Sequence, residues 1–148
     1  MQKKFKLEKV LNYRSLILEK EKAQLAVLAQ QEQTIIKEIK NIMSVIAQKQ
    51  REMSEAQAEG DLNMTQMYQK YITKLEGMRN QMQTKLAQHR QVMHKQKTAT
   101  VKAYQSKSII DKLYARHKAA YNSFLDKEEA KVVEDIITTR KASAINSE

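Results

Sequence analysis

Histidines are the residues here whose chemistry is easiest to test, because imidazole binds metals and exchanges protons near neutral pH. The chain has three of them, His89, His94 and His117. Two histidines that share a metal ion on one helix are four residues apart, whereas His89 and His94 are five apart. The spacing therefore predicts polar positions in a helix interface or on a surface, and it predicts no metal site.

No other set of side chains has the spacing of a catalytic site. The serines have no base in a suitable relation to them, and no glycine-rich phosphate loop is present. The chain has no cysteine, which excludes disulfides and thiolate ligands. Glu21 and Glu32 fall in a predicted helix interface, where buried charges fix register rather than react. We therefore predict a protein that is not an enzyme and that uses no cofactor.

The composition predicts long helices. The 148 residues include no proline and only two glycines, Gly60 and Gly77, and these are the two residue types that most weaken helix interiors. Charged residues make up 30% of the chain, which is typical of long helices and coiled coils. No apolar run approaches the ~20 residues of a membrane-spanning helix, and no signal-peptide core follows the N-terminus, so we expect a cytoplasmic protein.

A heptad pattern runs through the first half of the chain. Eleven of fifteen positions, taken in alternating steps of four and three residues, are apolar, as in a helix that packs along a second helix. The pattern stops near Gly60, which can end a helix in the left-handed conformation, and Asp61 or Asn63 can cap the next helix. The fifteen positions are Leu7, Leu11, Arg14, Leu18, Glu21, Leu25, Leu28, Glu32, Ile35, Ile39, Ile42, Ile46, Lys49, Met53 and Ala56.

The second half carries its own heptad pattern, with thirteen apolar residues at eighteen positions. A shifted series through Leu86, Met93, Thr100 and Tyr104 competes with it in the middle, and the sequence leaves both open. The eighteen positions are Met64, Tyr68, Tyr71, Leu75, Met78, Met82, Lys85, His89, Val92, Gln96, Ala99, Ala103, Ser106, Ile110, Leu113, His117, Ala120 and Phe124.

Two apolar stripes joined by a short turn predict an all-α fold, an antiparallel two-helix coiled-coil hairpin whose second helix is longer than the first. We place helix one at about 5–58, the turn at 59–63 and helix two at about 64–140. Residues 1–142 are predicted to form one domain and residues 143–148 a disordered tail. The isolated chain is expected to be a monomer, because the hairpin already covers both stripes; a parallel dimer of two chains is the alternative.

The end of helix two has no predicted partner, because the start of helix one lies opposite about residue 115. This extension is either an external docking segment or a frayed tail. Its apolar residues are Phe124, Leu125, Val132, Val133, Ile136 and Ile137.

The charge of the chain points to an acidic partner or to a solvated helix face. The net charge is +10, and residues 85–118 contain nine Lys or Arg and one acid, Asp111. Nucleic-acid binding is a second possibility for such a basic helix. No nucleic acid is expected, however, because no aromatic stacking platform or base-reading motif accompanies the charge.

Residues 5–14 read FKLEKVLNYR and residues 68–76 read YQKYITKLE. The first segment resembles the F-x-L-x-x-V-L-x-Y-R start, and the second the Y-Q-x-[FY]-I-x-x-L-E segment, of the FliJ family of the flagellar type III export apparatus. The resemblance implies an antiparallel coiled coil similar to the central stalk of rotary ATPases. It also implies three partners: the hexameric export ATPase, the linker of the membrane export-gate protein, and the export chaperones. The equivalent stalk of a virulence secretion system is the nearest alternative.

The resemblance also implies site residues. Four of the ATPase-binding positions lie inside the first motif, and the other three follow from their place on the extension. The implied ATPase-binding residues are Leu7, Leu11, Tyr13, Arg14, Phe124, Ile136 and Arg140. The implied export-gate residues are Ile42, Ile46, Met53, Tyr71, Leu75, Met78 and Met82. Several of these are also predicted interface positions, so packing and partner binding compete for the same side chains.

Overall fold

The structure, a computed structural model, describes residues 4–146 and contains two helices. Helix α1 spans Glu8–Ala58 and helix α2 spans Leu62–Asn146, and they contact each other as a helical hairpin with the second helix longer. Within the described residues there is no strand. The predicted fold class is therefore confirmed.

The helix ends differ slightly from the prediction. Helix α1 begins at Glu8 rather than near residue 5, and α2 begins at Leu62 rather than 64. At the other end α2 continues to Asn146, where disorder was expected from residue 143. Residues 142–146 contain neither glycine nor proline, so nothing in them stops the helix. Residues 147 and 148 lie outside the described part, and the single domain over 1–142 stays a prediction.

The connection between the helices is made by the residues that the sequence singled out. Gly60 has a φ of 75°, a left-handed conformation that glycine adopts without steric cost. The Gly60 N–H donates to the Gln57 carbonyl at 3.1 Å and the Asp61 N–H to the Ala56 carbonyl at 3.0 Å. Asp61 then caps α2, because its carboxylate accepts the Met64 N–H at 3.1 Å.

The chain forms two compact units, which we describe separately. The turn unit is Glu19–Val101, and the terminal unit contains the described residues before Glu19 and after Val101.

In the turn unit the heptad pattern of α1 is confirmed. Each predicted position from Glu21 to Ala56 is at least partly buried. The aliphatic residues among them form the most buried part, including Ile35, Ile39 and Ile46.

The pattern of α2 in this unit is half wrong. Tyr68, Leu75 and the positions that follow them at seven-residue intervals are at least partly buried, as predicted. The other predicted series, which begins at Tyr71, is displaced, because the buried residue is the next one along the chain. Ile72 is 2% exposed, whereas Tyr71 is 43% exposed. The competing series is correct at Leu86, Met93 and Thr100 and wrong at Tyr104. The exposed members of the predicted series are Tyr71, Met78, Lys85 and Val92.

The displacement has a simple cause. One interface position is needed between Tyr68 and Leu75. It can lie three residues after Tyr68, at Tyr71, or four residues after it, at Ile72, and both spacings are compatible with a heptad. The two series have similar apolar content, with Tyr71, Met78 and Val92 in one and Ile72, Leu86 and Met93 in the other.

In the terminal unit, Phe5 anchors the chain before α1 begins. Its buried ring lies 5.4 Å from the ring of Tyr114 in an edge-to-face contact and 5.4 Å from that of His117. Leu18, Ala103 and Ile110 are also buried, whereas the predicted interface residues Leu7, Leu113 and Ala120 are exposed.

The extension of α2 beyond this contact is exposed along its length. Every described side chain in 125–145 is exposed. This part of α2 carries the apolar residues that the sequence analysis assigned to an external partner or a frayed tail, and the structure makes it helical.

Candidate partner-binding surfaces

The export-gate residues implied by the resemblance separate into two groups in the turn unit. Ile46, Ile72 and Leu75 form a buried apolar cluster, with Ile42, Val45 and Met53 packed against it. Four of the seven implied residues, Ile42, Ile46, Met53 and Leu75, are therefore packing residues. Met82 is partly buried, whereas Tyr71 and Met78 are exposed.

Exposed apolar side chains follow one flank of α2 beside this cluster. Tyr71 and Met78 are 43% and 44% exposed, and Met67 is also exposed. Their spacing of four and seven residues places all three on one helix face. We call Met67, Tyr71 and Met78 the flank row. Its exposure means that these side chains can bind a partner without unpacking the hairpin.

A polar cluster borders the flank row on the α1 side. The Lys49 ammonium lies 3.0 Å from the Glu52 carboxylate and 5.8 and 5.7 Å from the ring centres of Tyr68 and Tyr71. The hydrogen bond between Lys49 and Glu52 raises the pKa of the Lys49 ammonium and lowers the pKa of the Glu52 carboxyl. Burial raises the pKa of the Tyr68 hydroxyl. Lys49 was predicted to lie in the helix interface, but Lys49, Tyr68 and Met67 were not predicted as partner-binding residues.

The four motif residues assigned to the ATPase contact also separate into two groups. Leu7 and Tyr13 are exposed, and Tyr13 is the more accessible at 64%. Leu11 is partly buried. Arg14 contributes to packing, because its guanidinium donates to the Ser106 carbonyl of α2 at 2.7 Å.

The remaining ATPase-binding candidates lie on the extension. Phe124 is partly buried and its ring lies 6.5 Å from that of Tyr121. Ile136 and Arg140 are exposed and share one face with Val132 and Thr139, where a shallow groove runs along the helix. Ile136 and Arg140 are thus available to a partner.

The histidines take the polar roles that their spacing predicted. The His89 Nε2–H donates to the Leu28 carbonyl across the hairpin at 2.7 Å, His117 contacts Phe5, and His94 is exposed. Among residues 4–146, no group of three or more His, Asp or Glu side chains is arranged to hold a metal ion. Over the same residues, neither helix is apolar and long enough to cross a bilayer.

The fold and its surfaces define a class of structure, a helical hairpin with rows of exposed apolar side chains. The chain belongs to the FliJ family: the family model described as flagellar FliJ protein matches residues 2–143. No curated protein and no solved structure matches it. Membership makes the protein a component related to flagellar export, in a family that is non-catalytic.

Proposed function

We propose that this protein is the non-enzymatic central stalk of the flagellar type III export ATPase complex. It binds the hexameric ATPase at one end and the export-gate linker through the flank row, and so couples ATP hydrolysis to protein export. Unloaded export chaperones are its third partner. It acts in the cytoplasm, at the inner-membrane face of the flagellar base, as a peripheral component.

The observation that carries this proposal is the exposed extension of α2. A helix whose described side chains from 125 to 145 are all exposed still carries Val132 and Ile136 on one face. Apolar residues at such spacing on an exposed helix suit insertion into a groove or pore of another protein. The exposed residues Leu7 and Tyr13 of the same unit supply further contacts to the ATPase.

At the export gate, some residues contact the linker and others support those contacts. Tyr71 and Met78 contact the linker, together with Met67. Ile42, Ile46, Met53 and Leu75 act indirectly, because they form or pack against the cluster beneath the flank row.

The test is ATPase stimulation and co-elution with the purified export ATPase. Removal of residues 126–148 should abolish both, while circular dichroism still reports a highly helical chain. Ile136→Asn should weaken stimulation several-fold, because a polar group replaces an apolar contact. The matched control Thr138→Asn changes an exposed residue on another side of the helix and should stimulate normally. If the full chain neither stimulates nor co-elutes, the proposal is wrong.

A further inference from the structure

Packing alone does not explain why a lysine occupies the interface near the turn. Lys49 follows Ile42 and Ile46 in the heptad pattern of α1, and these neighbours belong to the apolar cluster. An apolar side chain at this position would extend the cluster. The ammonium must instead be kept accessible to polar partners, which indicates that its charge has a use.

The charge of Lys49 is directed at two aromatic rings. Its Nζ atom lies 5.8 Å from the ring centre of Tyr68 and 5.7 Å from that of Tyr71, inside the roughly 6 Å range of a cation–π contact. The two tyrosines are three residues apart on α2, so they are neighbours on the helix surface. One cation therefore bridges a partly buried ring and an exposed ring.

Glu52 holds the ammonium in this place. Its carboxylate accepts a hydrogen bond from Lys49 at 3.0 Å and one from the Gln48 amide at 3.3 Å. Glu52 and Lys49 are one turn apart on α1 and both are partly buried. Lys49 and Glu52 are therefore held together on α1, and the Lys49 ammonium contacts the two tyrosine rings of α2.

The exposed ring depends most on this contact. Tyr68 is held by the interface that surrounds it, whereas Tyr71 lies on the open flank and 43% of it is exposed. A side chain on an open helix surface populates more than one χ1 rotamer. A cation–π contact at an exposed site favours one of them by about two- to fivefold.

We propose that Lys49 is a positioning residue of the flank row: anchored by Glu52, it holds the Tyr71 ring in the orientation that a partner protein binds. The identity of that partner as the export-gate linker rests on the proposed function. The role of Lys49 depends on its positive charge and not on its volume, which gives the proposal a direct test.

The test measures the affinity of the full chain for the purified linker-containing cytoplasmic domain of the export-gate protein. Lys49→Met retains most of the side-chain volume without the charge, and it should weaken binding about two- to fivefold. Lys49→Arg retains a cation and should bind within about twofold of the original chain. Equal affinity of the Met and Arg variants would overturn the proposal.

A double-mutant cycle separates positioning from direct contact. Tyr71→Ala should weaken binding by about tenfold or more, and adding Lys49→Met to it should have no further effect. Full additivity of the two changes would mean that Lys49 acts without Tyr71, and would overturn the positioning role. If Tyr71→Ala binds normally, the gate assignment in the proposed function fails instead.

A measurement on the free chain needs no partner. Two-dimensional NMR should show contacts between the Lys49 ε-methylene protons and the Tyr71 ring protons. Glu52→Gln, which removes the anchoring charge at constant size, should weaken these contacts, and Glu55→Gln, at an exposed position one turn further on, should not. Absence of the contacts in the original chain would contradict the proposal whatever the binding assays give.

Discussion

In two regions of the turn unit, different forces hold helix α1 against helix α2. Near the turn, the helices meet through aliphatic side chains, with Ile46, Ile72 and Leu75 buried together. Further along, polar side chains also cross the interface, beside buried apolar residues such as Met93. The Gln96 amide donates to the backbone carbonyl of Glu21 at 3.1 Å and also to its carboxylate, and His89 donates to the Leu28 carbonyl at 2.7 Å. We call these the apolar region and the polar region.

The difference assigns a separate task to each region. Apolar contacts stabilise in proportion to buried area but tolerate sliding, because the hydrophobic effect is not directional. Hydrogen bonds to one carbonyl lose their geometry when a helix slides along its partner. We therefore infer that the apolar region supplies most of the stability and that the polar region fixes the register of α1 against α2.

The largest expected effect comes from the most buried side chain of the apolar region. Ile72→Ala removes an isoleucine that is 2% exposed, and it should lower the free energy of unfolding by about 2–5 kcal/mol. Its neighbour Tyr71→Ala should cost less than about 1 kcal/mol, because Tyr71 lies on the exposed flank. Urea unfolding followed by circular dichroism measures both, and a larger loss for Tyr71→Ala would contradict the observed register.

The polar region should give an intermediate effect. Gln96→Ala leaves the partly buried Glu21 carboxylate without its amide donor, and it should cost about 1–2 kcal/mol. Gln91→Ala, at an exposed position of the same helix, should cost less than about 0.5 kcal/mol. Equal losses for the two variants would show that the polar contacts do not contribute to stability.

The two glycines should give the smallest effects, and the effects should differ in sign. At Gly60 a methyl group would meet no atom within 4 Å, but the φ is +75°, so Gly60→Ala should cost about 1 kcal/mol. At Gly77, in the helix interior, the space is equally open, so Gly77→Ala should stabilise by about 0.5–1 kcal/mol. Thermal melting resolves both, and a loss at Gly77 would indicate a packing role that the structure does not show.

The sequence was sufficient for one helix and ambiguous for the other. In α1 the interface is clear because isoleucine occupies four successive heptad positions, Ile35, Ile39, Ile42 and Ile46. In α2 two apolar residues stand side by side at the critical positions, as in Tyr71-Ile72 and Val92-Met93. Either residue of each pair fits the heptad spacing, so the sequence does not show which one is buried.

The same ambiguity limited the prediction of partner-binding residues. The motif around Tyr71 and Leu75 marked the correct stretch of helix. Only the three-dimensional structure separates Leu75, which packs, from Tyr71, which is exposed. The polar cluster around Lys49 could not be predicted from residue spacing in the sequence, because its members come from two helices and meet across the hairpin.

Ile72, and not Tyr71, packs against α1 within one molecule. Because the chain has no cysteine, this packing can be tested by introducing two cysteines. Under mild oxidation at low protein concentration, Ile46→Cys with Ile72→Cys should form an intramolecular disulfide quickly and remain a monomer. Ile46→Cys with Tyr71→Cys should react much more slowly. Equal rates for the two pairs, or disulfides only between molecules, would contradict the account.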